Sequence, residues 1–390
     1  PYNAIRLELN KVQKTDTELE NCYTRAAQFL RDWQREGILM QDSARSLYVY
    51  EQAFMIDGQP FTRRGFFARM RLEPFGQGKV FAHEETMAGP KADRLKLLNA
   101  TGMNLSPIFG LYPDPTNEVQ SILDAAKARS LPLEATDQLG VVSRLWPVAD
   151  QKAVSKVIGL MGPKPVFIAD GHHRYETGLR YIEERRAAGE LVNEESPSHF
   201  ILVMLVSMSD PGLLILPTHR LISGFPNLTS DRLRTILAPY FEFQEHGNSA
   251  IRETWDWIAV DGGQNVLGFG TVADGKWMTA RLKSPEPMER LAGNHSANWR
   301  GLGVAILHVL ILDHLLANER QGQPSCKYVH SLNEVEETMA TRQCDLAVLV
   351  PPAAMNHVES IAGGLEKMPP KSTYFYPKVL SGLVFNSVKK

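Results

Sequence analysis

Cysteine is scarce in this chain. Three thiols, Cys22, Cys326 and Cys344, are scattered over 390 residues with no metal-ligand spacing between them. That argues against a disulfide framework and fits a reducing compartment. Long hydrophobic runs are missing too. The longest, residues 304–316, is broken by His308, Asp313 and His314, so no membrane span is expected. No signal peptide opens the chain. Pro1 stands where an initiator Met would, so the chain reads as processed, truncated or taken from an internal position, with the cytoplasm as expected compartment. A surplus of one charge is absent. The formal net charge is −2, whereas a general nucleic-acid binder would show a basic excess. No G-x-G-x-x-G follows a strand, which leaves a Rossmann dinucleotide site unsupported. Gly363-Gly364 and Lys371-Ser372-Thr373 fail the P-loop spacing, because Pro370 precedes Lys371. There is no G-x-S-x-G elbow, and no thiol has a setting that favours a nucleophile.

What is present is ordinary globular composition, 43% hydrophobic and 22% charged, in a chain long enough for two domains or one large one. An amphipathic helix is expected over residues 19–36, closed by Gly37. Residues 47–56 and 61–72 read as strands joined at Asp57-Gly58, a strong hairpin signal. Further strands are expected over 104–112, 140–146, 200–208, 213–216 and 346–350, and helices over 117–129, 152–161, 228–237, 303–318, 331–342 and 355–365. Trp255, Trp257 and Trp277 fall in a β-rich stretch and read as the core of a small subdomain.

Chemistry concentrates in Pro165-Val-Phe-Ile-Ala-Asp-Gly-His-His-Arg-Tyr-Glu176. Val166 to Ala169 form a short buried strand and Asp170-Gly171 breaks it. Tyr175, Leu179 and Ile182 then recur at helical spacing. Asp170 at such a turn needs no purpose beyond capping the helix. Capping does not explain Gly171, His172, His173 and Arg174 behind it. Glycine permits a positive φ or a close backbone approach, and the first helical turn with its dipole favours an anion. Arg174 adds a bidentate partner for phosphate or carboxylate, and Asp170 is placed to bind Mg²⁺ or act as a base. Zinc is disfavoured, since adjacent histidines rarely share one metal.

Other candidates are weaker. His83, Glu84, Glu85, Lys91, Asp93 and Arg94 crowd one polar stretch, either a solvated loop or part of a site. Arg63, Arg64, Arg69 and Arg71 lie on the second hairpin strand, where arginines usually face solvent but also line anion sites. His219-Arg220 at a strand exit repeats the His173-Arg174 pairing. Lys371, Ser372, Thr373, Tyr374 and Lys378 offer donors near the end, or merely the exposed side of a strand. His308 and His314 do not share a helical face and read as non-ligands.

Ile168-Ala-Asp-Gly-His-His-Arg-Tyr-Glu-Thr177 resembles the signature of the family catalogued as domain of unknown function 1015. So do Leu47-Tyr-Val-Tyr-Glu51, Arg63-Arg-Gly-Phe66, His83-Glu84, Gly89-Pro-Lys91, Asp93-Arg94, Asn104-Leu-Ser-Pro-Ile-Phe109, Leu216-Pro-Thr-His-Arg220 and Lys371-Ser-Thr-Tyr-Phe375. The family's usual opening segment with a Pro-Pro-x-Asp-Val stretch is absent here. Asp-Gly-His-His-Arg-Tyr-Glu is also similar to a turn in free-serine kinases of the ParB and sulfiredoxin-like superfamily. That resemblance implies a unit that holds nucleotide phosphates. It would give Asp170, Gly171, His172, His173 and Arg174 the phosphate and metal, and an acidic residue the serine hydroxyl. Glu84 is the candidate for that acid, with Glu85 in reserve.

The expectations are therefore these. The fold is α/β (α+β), a ParB/sulfiredoxin-like core with a mixed sheet and a small β-rich insertion. The domains are residues 1–225, 226–300 and 301–390, the last packing back on the core. The protein is expected to be a nucleotide-dependent phosphotransferase acting on a small hydroxylated metabolite such as serine. The alternatives are a nucleotide-binding regulatory module without turnover and a metal-dependent phosphate-ester hydrolase. Asp170, His172 and Glu84 would be catalytic. Gly171, His173, Arg174, His219, Arg220 and Lys371 would bind the cofactor, ATP or ADP, with Mg²⁺ on Asp170. Partners would be nucleotide and small-molecule substrate, with neither membrane nor nucleic acid.

Overall fold

The computed structural model describes residues 2–84, 88–128, 131–191, 193–248, 250–322 and 325–389. The chain divides into two compact units, Pro1–Leu214 with Pro377–Lys390, and Ile215–Tyr376.

The first unit is built on an eight-stranded sheet. Its strands are β1 (Leu47–Ile56), β2 (Gln59–Arg71), β3 (Val80–Ala82), β5 (Ile108–Tyr112), β6 (Leu133–Thr136), β7 (Val142–Val148), β8 (Val166–Asp170) and β9 (Phe200–Ser207); β4 (Met103–Asn104) lies outside it. The order across the sheet is β3-β8-β5-β9-β2-β1-β7-β6. The sheet is mixed: β3–β8 and β5–β9 are parallel pairs, while β5–β8 and β2–β9 are antiparallel. The hairpin forms where the sequence places it. Asp57 and Gly58 both take positive φ, 48° and 77°, the type I′ geometry whose twist matches the flanking strands.

Helices α1 (Ile5–Glu8), α2 (Cys22–Arg35), α3 (Ala88–Thr101), α4 (Glu118–Lys127), α5 (Gln151–Met161) and α6 (His172–Ala187) complete this unit. α2 starts three residues later than the periodicity suggests, because Asn21 and Thr24 form a reciprocal capping box there. One core cluster joins Val49, Phe66, Ile108, Ile168 and Val203 of the sheet to Leu123, Val157, Tyr175 and Ile182 of the helices. Each such side chain contributes roughly 1.5–3 kcal/mol by leaving water. The C-terminal segment returns to this unit, where Asn386–Ser387 pairs with β4.

The second unit is a six-stranded antiparallel sheet. Its order is Phe241–Asn248, Lys276–Leu282, Val266–Thr271, Leu346–Leu349, His219–Ser223, Ser325–Val329. The division differs from the expected boundaries at 225 and 300. The wholly buried strand Leu346–Leu349 lies between Val266–Thr271 and His219–Ser223, so residues 226–300 share one sheet with strands on either side of them in sequence. Trp277 is buried in this unit's core, with Trp255 and Trp257 packed against it. The apolar helix expected over 303–318 winds as a π-helix over Ile306–Leu315. Among the described residues no helix is long and apolar enough to cross a membrane.

Candidate active site

Parallel pairing of β3 with β8 decides what meets at the Asp170 turn. Ala82 lies opposite Ile168, so both chains leave the sheet at the same end. His83 therefore reaches the turn, where its Nδ1 donates to the Ile168 carbonyl at 2.6 Å. Its ring stands edge-on to that of His172, 4.8 Å between centres. Both imidazoles are buried. Burial pushes the His83 pKa down, against the opposing pull of Glu84, the Ile168 carbonyl and Asp170.

Asp170 is the last residue of β8, and Gly171 is the N-cap of α6 at φ +90°. The positive φ favours glycine, and a Cβ here would come 3.0 Å from both the Arg174 guanidinium and Ile108 Cγ2, crowding both neighbours. The expected capping role of Asp170 is not the one seen. Gly171 takes the cap position, and the Asp170 carboxylate meets Lys378 Nζ at 3.0 Å and Arg174 Nη2 at 3.6 Å. Burial pushes its pKa up, but Lys378, Arg174 and His172 outweigh that and hold the carboxyl below the usual carboxylate range.

These groups open onto a cavity of about 160 Å³ walled by Glu8, Arg94, Phe109, Asp170, Arg174 and Lys378. Arg174 also donates to the Pro107 carbonyl. Arg94 Nη1 lies 3.3 Å from Glu8 Oε1, and Ser106 Oγ donates to Glu8 Oε2 at 2.5 Å. Lys91 pairs with Glu176, tying α3 to α6. The polar stretch after β3, the Asn104–Phe109 motif and the Asp170 turn thus form one constellation. It sets three cations around two carboxylates, an arrangement suited to a small polyanion or zwitterion.

The other predicted residues are placed as follows. His173 is half-buried beside His172 on α6. Glu84 is half-buried next to His83 and is not among the residues walling the cavity. Glu85 lies outside the described residues. His219, Arg220 and Lys371 belong to the second unit, where they gather with one another. Arg220 donates to the carbonyls of Thr218 and, at 2.8 Å, of Lys371. His219 packs edge-on to Trp255, and burial pushes its pKa down to about 3. His308 is likewise pushed down to about 4.

Two residues of the cavity were not singled out from the sequence: Glu8 was not named at all, and Lys378 was named only among several possible donors of the tail. A four-residue helix offers no periodicity to mark Glu8. Lys378 was visible only as one polar residue of the tail. Arg63 departs from the solvent-facing expectation: it is fully buried, while Arg64 pairs with Asp210 and Arg71 with Glu195. The donor set does not fit the expected Mg²⁺ as a resident ion. Asp170 is already opposed by two cations, and among the described residues no three His, Cys, Asp or Glu side chains converge on a metal position.

The family described as "Protein of unknown function (DUF1015)" matches residues 1–305. The chain belongs to the DUF1015 family. Among solved structures, it is similar to a conserved hypothetical protein from Pyrococcus furiosus, at 11% identity over 83% of this chain and 95% of that one, with a TM-score of 0.39. A free serine kinase in complex with AMP matches at 12% identity over 79% and 86%, with a TM-score of 0.38. A mutant free serine kinase in complex with ADP matches at 11% over 79% and 87%, TM-score 0.38. Likeness at that level carries no argument about chemistry. No curated protein matches the chain.

Proposed function

We propose that this DUF1015 member is a nucleotide-dependent phosphotransferase acting on a small hydroxylated metabolite such as serine, with ATP or ADP as donor. The observation that carries the reading is the cavity at the Asp170 turn, where Lys378, Arg174 and Arg94 face Glu8 and Asp170. The similarity of the Asp-Gly-His-His-Arg-Tyr-Glu turn to that of free-serine kinases supports it. Phosphoryl transfer asks a protein mainly to position groups and neutralise charge. Arg174, Arg94 and Lys378 supply that positive charge, and Gly171 lets the backbone approach. The acceptor hydroxyl oxygen attacks phosphorus, the bond to the nucleotide's leaving oxygen breaks, and the hydroxyl proton passes to a carboxylate. We assign that proton to Glu8 in place of Glu84, because Glu8 walls the cavity and Glu84 does not. His83 braces the turn through its bond to the Ile168 carbonyl, with the His172 ring edge-on against it. No step is assigned to a resident metal.

The test is incubation with ATP or ADP, Mg²⁺ supplied with the nucleotide, and a pool of amino acids, followed by phosphorus NMR. Nucleotide-dependent appearance of a phosphorylated amino acid, lost in Asp170→Ala, is the expected result. Nucleotide binding without product would instead indicate a regulatory module. Phosphate release from phosphoserine without nucleotide would indicate a hydrolase.

A further inference from the structure

Gln52 and Arg63 face each other across the β1–β2 hairpin, and both are buried, at 1% and 0% exposure. Arg63 Nη2 donates to Gln52 Oε1 and, at 2.6 Å, to the Pro377 carbonyl. Gln52 Nε2 donates to the next carbonyl, that of Lys378, at 2.9 Å. Two successive carbonyls are thus gripped by one cross-strand pair. A third tie follows, from Leu380 N to the Tyr50 hydroxyl at 3.3 Å.

Arg63 is costly where it stands. Its Nε and Nη1 have no hydrogen-bond partner among the described residues, and its guanidinium lies 4.7 Å from the centre of the Phe109 ring. Burial lowers its pKa to about 10, so it remains charged at neutral pH. An apolar pair of similar volume would fill this place without desolvating a charge. What the apolar pair could not do is hold the backbone under Lys378. The Lys378 side chain is 50% exposed, and a long exposed lysine has little reason to keep one geometry unless its backbone is fixed.

We infer that Gln52 and Arg63 are positioning residues, acting through the Pro377–Lys378 backbone to set the Lys378 ammonium against the Asp170 carboxylate. The inference depends on the phosphotransferase reading only for its catalytic consequence. Its geometry and its test stand apart from turnover.

The readout is the titration of the Asp170 carboxyl in ¹³C-aspartate-labelled protein, assigned by loss of the resonance in Asp170→Asn. The charged and titratable groups around Asp170 include Lys378 on the C-terminal segment, Arg174 and His172 on α6, His83 after β3 and Arg63 on β2. Glu8 and Arg94 share its cavity. Gln52→Leu changes none of these charges, which makes it the decisive variant. It should raise the Asp170 pKa by about half a unit or more, a roughly threefold change in proton affinity. The same substitution in a Lys378→Met background should add nothing, because the contact it supports is already gone. An unchanged titration in folded Gln52→Leu, or an equal shift in both backgrounds, overturns the inference. Arg63→Lys, which keeps the charge and loses the planar guanidinium whose Nη2 makes both bonds, should behave like Gln52→Leu, and a lysine variant that titrates as wild type would overturn the role given to the guanidinium. Failure of nucleotide turnover in the wild type would sink the phosphotransferase reading and leave this result intact.

Discussion

Lys378 Nζ lies 3.0 Å from Asp170 Oδ2, although 208 positions separate the two residues. The contact closes the first unit's site with a residue from the far end of the chain. It predicts an acid dependence of stability. Asp170 titrates below its unfolded value in the folded protein. Its contribution is therefore fully present above the unfolded carboxylate pKa, near 3.9, and is lost as pH falls through the lower folded value. Wild type should exceed Lys378→Met in urea stability at pH 7, and the margin should shrink as pH falls through the folded value. The margin should stay below about 1 kcal/mol, since both side chains are partly exposed and screened. A margin that grows on acidification would contradict the pairing.

Gly171 gives a second, sharper expectation. Its φ of +90° is strained for any residue with a Cβ, and that Cβ would press on Arg174 and Ile108. Gly171→Ala should cost about 1–2 kcal/mol from the backbone alone. It should also displace the guanidinium that faces Asp170. Denaturant unfolding measures the first effect, and the Asp170 carboxyl titration the second. An alanine variant with wild-type stability and titration would show that the turn tolerates a side chain.

How much of this was legible before the fold was known depends on distance along the chain. Asp57-Gly58 announced its hairpin, and the Asp170–Glu176 stretch announced a strand, a tight turn and a helix. All of these are local. The approach of His83 to His172 depends on a parallel pairing over three residues, which no periodicity reveals. Lys371 and Lys378 are seven apart in a polar tail and look alike as sequence. The fold separates them: Lys371 belongs to the second unit, while Lys378 belongs to the first, where Gln52 and Arg63 hold its backbone. Arg63 likewise resembles its neighbours Arg64, Arg69 and Arg71 until the returning C-terminal segment covers it.

The second unit should respond to mild acid through His219. Its folded pKa is pushed down to about 3 by burial, with Arg220 and His330 adding to the effect. The unfolded chain takes up a proton near pH 6.5 that the folded chain refuses. Stability is therefore full above pH 6.5 and falls as pH drops toward 3. By pH 4 the loss should be on the order of 3 kcal/mol from this residue. His219→Gln keeps an acceptor near the Val350 amide, 3.4 Å away in the wild type, and removes the titration. Its unfolding midpoint should depend less on pH between 7 and 4 than that of the wild type. Parallel slopes would show that another group carries the dependence.

The two carboxylates of the cavity should separate by function. Asp170 sits between Lys378 and Arg174, so its negative charge is largely spent on holding those cations in place. Glu8 is held by Arg94 and Ser106. If Glu8 takes the hydroxyl proton, Glu8→Gln removes a group that acts in the transition state. Turnover should then fall by roughly 10²–10⁴-fold, while the nucleotide Kd shifts by no more than about threefold. Arg174→Gln should do the reverse, weakening nucleotide binding by about tenfold or more through loss of a charge-assisted contact. Calorimetric titration with ADP and single-turnover product analysis give the two numbers independently. Equal losses of binding in both variants would mean that Glu8 and Arg174 serve one binding network, and the assignment of the proton to Glu8 would be withdrawn.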